Sequence, residues 1–420
     1  MRDVGASALG VVVMIALAGA PAVTFAEEAL PSGRLTMERV VALALERSLA
    51  IRAAEARGSL ARGRLRGAEV LSPFNPELSG GGGVRFGAEG VTAEAEGGLA
   101  QAFELGGPRR RRIEVAEAQV EAASERVEAA RLRVAAEARA AYVEAIAARQ
   151  ILRLAQEAEG LARRLHSAAE ERGDAEAATD LEVNVAVIEW SAARRELAEA
   201  RRRLAEADLE LARVLSLPPR ATIVLPEDLP PCPAVATPLE ELVGRAVTVR
   251  RELAALADEV GAAEAGVALA RAEGWPDLVV SATYSLEEGR DHIVGVGLSI
   301  PLPLFDRNQG EVARARAALE LARVEREAAG LAVEREVAGA HAAYVAAAEA
   351  AEIWGEGVLG RVEQNLELLE LALTEGSVGI VEVMRVQREL VAARRDGVES
   401  AAAVHSARAR LELAVGEEVR

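Results

Sequence analysis

The sequence predicts a mainly α fold with a small β part, in which long antiparallel helical hairpins and four strands form a tandem repeat. Three observations predict it. Apolar residues recur every seven positions through two stretches of about 65 residues, far beyond an ordinary globular helix. Two shorter segments alternate large apolar with small or polar residues at a period of two, as strands with one covered face do. Both patterns return about 200 residues later.

The repeat runs well past the strands. Thr36 matches Thr237, Pro76 matches Pro276 and Phe103 matches Phe305. Ala141-Tyr142-Val143 matches Ala343-Tyr344-Val345, and Leu209 to Ala212 matches Leu411 to Ala414. All offsets lie between 200 and 203. The first unit covers 27–216 and the second 239–420, joined by a proline-rich connector at 217–238. Each unit reads helix, hairpin, very long helix, return helix.

Residues 1–26 have the pattern of a secretory signal: Arg2, a short apolar core at Leu9 to Leu17, then small residues before Ala26. That core is too short for a spanning helix of about 20 residues, and no later apolar run reaches that length. One helix is expected from Thr36 to Leu71, stopped by Pro73 and Pro76. In the hairpin at 76–105, Val91, Ala93, Ala95, Leu99 and Phe103 alternate with Thr92, Glu94, Glu96 and Ala100.

Gly106-Gly107-Pro108 then breaks the strand and opens the first long helix, whose heptad is Ile113, Val120, Val127, Val134 and Ala141. Gly173-Asp174 ends it, and Thr179 or Asp180 caps a return helix carrying Val183, Trp190, Leu197, Leu204 and Leu211. The connector leaves room for one short strand, Ala221–Leu225. The second unit has a helix at Leu239–Glu273 and a hairpin at 276–305. A long helix follows from Asn308 with Val324, Leu331, Ala338 and Val345 in heptad, then a final helix with Val383, Leu390, Gly397, Val404 and Leu411.

At about 1.5 Å per residue each long helix spans about 100 Å, which two of the shorter helices match end to end. The return helix of unit one is expected to stack on the first helix of unit two, and the last helix on the first. Both hairpins then lie at one end and both helix turns at the other. Leu278, Val280, Tyr284, Val294, Val296, Leu298 and Ile300 share the apolar face of the second hairpin and are the candidates to meet lipid. Four strands cannot close a barrel, which needs about eight. A membrane barrel would have to be shared, with eight strands from two chains or twelve from three.

Composition removes other classes. A formal charge of −18 argues against nucleic-acid binding. Cys232 is the single cysteine, so no internal disulfide or CxxC site exists. All 49 basic residues are arginine. His166, His292, His341 and His405 are scattered, with no HExxH, phosphate loop or nucleophile triad at useful spacing. No catalytic, cofactor-binding or metal-ligating residue is assigned. Trp190 and Trp354 read as helix-packing residues.

The stretches PLPLFDRNQGE at 301–311, QAFELGGPRRRR at 101–112 and LTMERVVALALERS at 35–48 resemble the TolC-like outer membrane efflux proteins. So do the turns ERGDAEAATDL and TEGSVGIVEV, and the likeness is greatest to the heavy-metal (cobalt–zinc–cadmium) branch. The likeness covers Leu35 to Gly416. The first turn differs by an extra residue, and the first strand by its run Gly80–Gly83. The resemblance implies a homotrimer whose twelve strands form an outer-membrane barrel above a twelve-helix α-barrel tunnel in the periplasm. It also implies two protein partners, a periplasmic adaptor (membrane fusion) protein and an inner-membrane pump of the resistance–nodulation–division class. On this pattern Gly106, Gly107, Arg109, Pro303, Phe305 and Asp306 stand at the barrel–tunnel junction, with Arg109–Arg112 near lipid headgroups. The turns carry Gly173, Asp174, Asp180 and Glu382, and Gly376-Ser377 is the expected docking point for the adaptor. Trimer symmetry would turn Glu171, Asp174, Glu176, Asp180, Glu375 and Glu382 into acidic rings. A soluble periplasmic coiled-coil scaffold or adaptor is the alternative; it explains the heptads but not the alternating hairpins.

Overall fold

The computed structural model describes residues 33–87, 90–219, 221–288, 290–374 and 378–419. The signal-like segment 1–26 and the residues Glu375, Gly376 and Ser377 lie outside the described residues. Residues from Arg34 onward form one compact unit.

The first helix is broken where one was expected. α1 (Met37–Arg47) starts at Thr36, whose hydroxyl accepts from Arg39 N at 3.4 Å. Ser48 then leaves the helical region at φ −57°, ψ 122°, and caps α2 (Leu49–Ala68) by accepting from Ile51 N. The second unit bends at the matching residue. α5 (Leu239–Val249) and α6 (Arg251–Ala272) meet at Arg250, φ −63°, ψ 118°. Apolar periodicity runs through both bends, so the sequence pattern does not reveal them.

Strands β1 (Glu77–Gly87), β2 (Gly90–Phe103), β3 (Leu278–Glu287) and β4 (Asp291–Ser299) form one antiparallel sheet in that order. The two hairpins join through β2 and β3, from Phe103 opposite Leu278 to Ala95 opposite Leu286. Among the described residues the outer edges of β1 and β4 have no partner strand.

α3 (Pro108–Asp174) is unbroken over 67 residues. Its buried positions are mostly alanine, which lets neighbouring helices approach closely. At its middle Ala141 to Val143 and Ala145 to Ala148 are all buried. There α3 is flanked by α1, by α4 (Asp180–Val214) and by α9 (Ile380–Val415). The second long helix departs from expectation. It splits into α7 (Gln309–Ile353) and α8 (Glu356–Thr374) at Trp354-Gly355. Trp354 N and Gly355 N donate three residues back, to Ala351 O and Glu352 O, instead of four. Gly355, Gly357 and Gly360 lower helix propensity at this point.

The stacking also differs from expectation. Along one flank of α3 the partner is α6 (Arg251 to Glu125, 3.2 Å) and then α9 (Arg139 to Glu412, 2.7 Å). The buried Arg250 guanidinium bonds Ala414 O at 2.8 Å, so the end of α9 abuts the start of α6. The last helix therefore stacks on the first helices of its own repeat, not on those of the other. The connector contains no strand at 221–225; backbone bonds there run from Leu35 N to Val224 O and, locally, from Ala221 N to Pro218 O. Side chains hold it instead: Tyr344 Oη accepts from Val235 N at 2.8 Å, His405 Nε2 lies 2.9 Å from Pro230 O, and Arg149 reaches Ile223 O.

Candidate functional site

Sheet register sorts the strand residues onto two faces. Val280 lies opposite Leu298, Ala282 opposite Val296 and Tyr284 opposite Val294, with Leu99 opposite Ala282 on the next strand. Leu78 and Phe86 continue that face on β1. The face is apolar and open: Val294, Val296 and Leu298 are each more than 70% exposed. Arg85, Glu94, Glu96, Ser281, Thr283 and Ser285 occupy the opposite face. The predicted set Leu278, Val280, Tyr284, Val294, Val296 and Leu298 thus shares one side, and Ile300 follows β4 with the same parity. Among the described residues no helix is long and apolar enough to cross a membrane.

The junction is built twice. Gly106 and Gly107 take positive φ (84° and 73°), and a Cβ at Gly106 would strike the Trp275 ring at 2.8 Å. Pro108 then opens α3. Arg109 Nε and Nη2 donate to Val70 O and Glu69 O at 3.0 and 2.6 Å, closing the carbonyl end of α2. In the second repeat Asn308, also at positive φ, donates from Nδ2 to Ala270 O at 2.8 Å and closes α6. Pro303 O accepts from Arg307 Nε, Phe305 O from Gln309 Nε2, and Asp306 Oδ1 from Asn308 N.

The other arginines of the run have partners within the chain. Arg112 grips Glu104 with two nitrogens, one at 2.8 Å, while Arg110 and Arg111 pair with Glu114. Burial, together with Glu104 and Glu311 nearby, holds the Glu273 carboxyl above its ordinary range although Arg112 counters it. Within the chain, Arg109 thus caps a helix and Arg112 pairs with a carboxylate.

At the helix turns Gly173 and Asp174 are the last residues of α3, and Val183 approaches Gly173 so closely that a Cβ would sit 3.0 Å from it. Thr179 caps α4 in a reciprocal box with Glu182, and Asp180 is the first helical residue. Glu382, in the first turn of α9, binds Arg385 at 2.6 Å, which lowers the pKa of its carboxyl. Leu165, Ala169, Ala186, Leu369, Ile380, Val383 and Met384 form one buried cluster there, so Asp180 and Glu382 belong to the same end of the molecule. Among the described residues no three His, Cys, Asp or Glu side chains gather as a metal site.

The model of the family described as "Outer membrane efflux protein" matches residues 40–216 and again 242–417. The chain belongs to the outer membrane efflux protein family. The double match coincides with the two repeats. Of the curated relatives, the cobalt-zinc-cadmium resistance protein CzcC of Cupriavidus metallidurans is 30% identical over 159 residues, which is 37% of this chain and 38% of the relative. Among solved structures, the VceC outer membrane protein of Vibrio cholerae superposes with a TM-score of 0.72 at 20% identity, covering 91% of this chain and 97% of that one. CusC gives 0.72 at 20% identity over 91% and 92%. The MtrE outer membrane channel of Neisseria gonorrhoeae, solved in its open state, gives 0.70 at 21% over 91% and 89%.

Family membership places this outer membrane efflux protein in the Gram-negative outer membrane with a long periplasmic part, and the soluble-scaffold alternative falls. It is not an enzyme. Two features of its helices were missed in the heptads. α2, α3, α6 and α7 enclose a groove of about 1110 Å³ whose lining includes Arg57, Arg126, Arg133, Glu252, Glu259 and Arg314. Val324 and Leu331, two positions of the predicted heptad, and Leu321 beside them on α7 are more than half exposed, as are Leu49 and Leu60 on α2. Heptad position signals an apolar face but does not say whether its partner helix belongs to the same chain.

Proposed function

We propose that three copies of the chain close a twelve-stranded barrel and a twelve-helix tunnel, forming the exit channel of a tripartite efflux path. The open four-stranded sheet carries the reading: its two bare edges must pair in hydrocarbon, where each unpaired backbone group costs several kcal/mol. The exposed apolar stripes on α2 and α7 support it, because they flank the helices as the bare strands flank the sheet. The face of Leu278, Val280, Tyr284, Val294, Val296, Leu298 and Ile300 meets lipid. Resemblance to CzcC supports heavy-metal cations as cargo, with small solutes the second option. An adaptor docks at the turn around Gly376 and Ser377, and a resistance–nodulation–division pump delivers cargo from the inner membrane. Cells lacking the chain should accumulate cobalt, zinc or cadmium, and the chain supplied in trans should restore efflux. Unchanged accumulation of all three would remove the metal reading, while a stable monomer or dimer in detergent would remove the trimer.

A further inference from the structure

The two repeats differ where strand passes into helix. Between β2 and α3 lie residues 104–107, whereas between β4 and α7 lie residues 300–308, more than twice as many. The longer segment has two ends of different character. Its polar end is tied to the helices: Asn308 donates to Ala270 O, and Gly274 is packed so tightly that a Cβ would sit 2.9 Å from Arg307 O. Its apolar end is not covered. Leu302, Leu304 and Phe305 are 75%, 66% and 92% exposed. Pro301 and Pro303 fix their own φ angles, and Leu304 N donates to Leu302 O at 2.8 Å in a tight turn centred on Pro303.

The apolar run of β4 continues in sequence into this segment. Val294, Val296 and Leu298 stand on the apolar face of β4, and Ile300, Leu302 and Leu304 follow at the same two-residue spacing. A second copy pairing with the edge of β4 would lie in the plane of the sheet. It would leave side chains along the face normal uncovered. We propose that Ile300–Phe305 lies in the periplasmic leaflet of the outer membrane as a lipid-embedded loop, one per chain, extending the lipid contact beyond the barrel strands. Its ligand is phospholipid at the boundary of headgroup and acyl chain, where apolar and aromatic side chains partition favourably. This rests on the lipid-facing assignment of the sheet made above.

The test uses the full-length protein with Cys232→Ser and one new cysteine at a time: Leu302→Cys, Leu304→Cys or Phe305→Cys, each carrying a nitroxide. The protein is reconstituted in vesicles of phosphatidylethanolamine and phosphatidylglycerol. Val296→Cys marks the membrane interior and Arg201→Cys marks water. Collision with oxygen, which concentrates in lipid, is compared with collision with a water-soluble nickel chelate. The expected oxygen-to-nickel ratio at all three loop positions exceeds that at 201 and approaches that at 296. A ratio at the level of 201 puts the loop in water and overturns the proposal. Protection from both reagents means a second copy covers the loop and also overturns it. If position 296 itself collides freely with nickel, the lipid-facing sheet fails first and takes this proposal with it.

Discussion

Four arginines in a row open α3, where the positive end of the helix dipole disfavours cations. Each one has a partner that accounts for it, and the partners differ in worth. Arg109 closes the carbonyl end of α2, and Arg112 holds Glu104 in a largely covered pair. Charge-assisted bonds of this kind contribute about 1.5–3 kcal/mol each. Arg109→Ala and Arg112→Gln should each lower the melting temperature of the purified oligomer, whereas Arg110→Ala, removing a pair with an 80% exposed arginine side chain, should leave it unchanged. Equal effects of all three would contradict the geometry. On the sheet, Val296→Arg should cost about 2–4 kcal/mol and impair assembly. Gly297→Ser should be tolerated, as the alternation pattern alone expects. A Cβ would sit 2.6 Å from Ser281 Oγ, so that hydroxyl must turn away. His405 supplies a pH dependence. Burial, with Arg408 nearby, lowers its pKa, although its bond to Pro230 O opposes this. The folded state therefore holds fewer protons than the unfolded one. Stability is full above the ordinary imidazole value of about 6.5 and falls as pH drops through it toward the lower folded value. Thermal melts at successive pH values should show this loss, and His405→Gln should flatten it.

At the scale of elements, the order of helical stretches, the hairpins and the repeat were legible because long periodic segments state their own period. The bends at Ser48 and Arg250 were not. Periodicity continues through them, and what holds Arg250 is mostly tertiary: Glu336 and Ala414 O, with Glu252 beside it in sequence. The break at Trp354-Gly355 had a local signal in Gly355, Gly357 and Gly360, but isolated glycines inside a heptad often leave a helix whole. The junction residues were legible as positions, from Gly106-Gly107-Pro108 and PLPLFDRN, but their bonds to the preceding helices were not. One heptad position shows how packing follows from size. Gly397 falls where the heptad calls for an apolar side chain, and a Cβ there would meet Leu359 Cδ2 of α8 at 2.9 Å. Gly397→Val should overpack the α8–α9 contact and destabilise it by about 1–3 kcal/mol. Adding Leu359→Ala should recover part of that loss. A double-mutant cycle with no coupling would show that the two do not pack together.

Over the whole molecule the helix turns collect charge at the end opposite the strands. Asp180 opens α4 and Glu382 opens α9, where carboxylates also suit the helix dipole. In a trimer each becomes a ring of three, and like charges around a constriction attract cations. Glu382 is already paired with Arg385, which bonds Glu389 as well, so its own share of the field is small. Removing it still makes the turn more positive by one charge, as Asp180→Asn does, because Arg385 is left less compensated. Asp180→Asn and Glu382→Gln should therefore each lower cation conductance of the reconstituted channel, the second despite its existing pair. Both effects should grow at low salt, since exposed charges are screened within about 10 Å at 0.1 M. Arg385→Gln introduced beside Glu382→Gln should reverse most of the second loss. Planar-bilayer recordings across a salt series decide it: conductance insensitive to all three changes at low salt would remove the acidic rings from the permeation path.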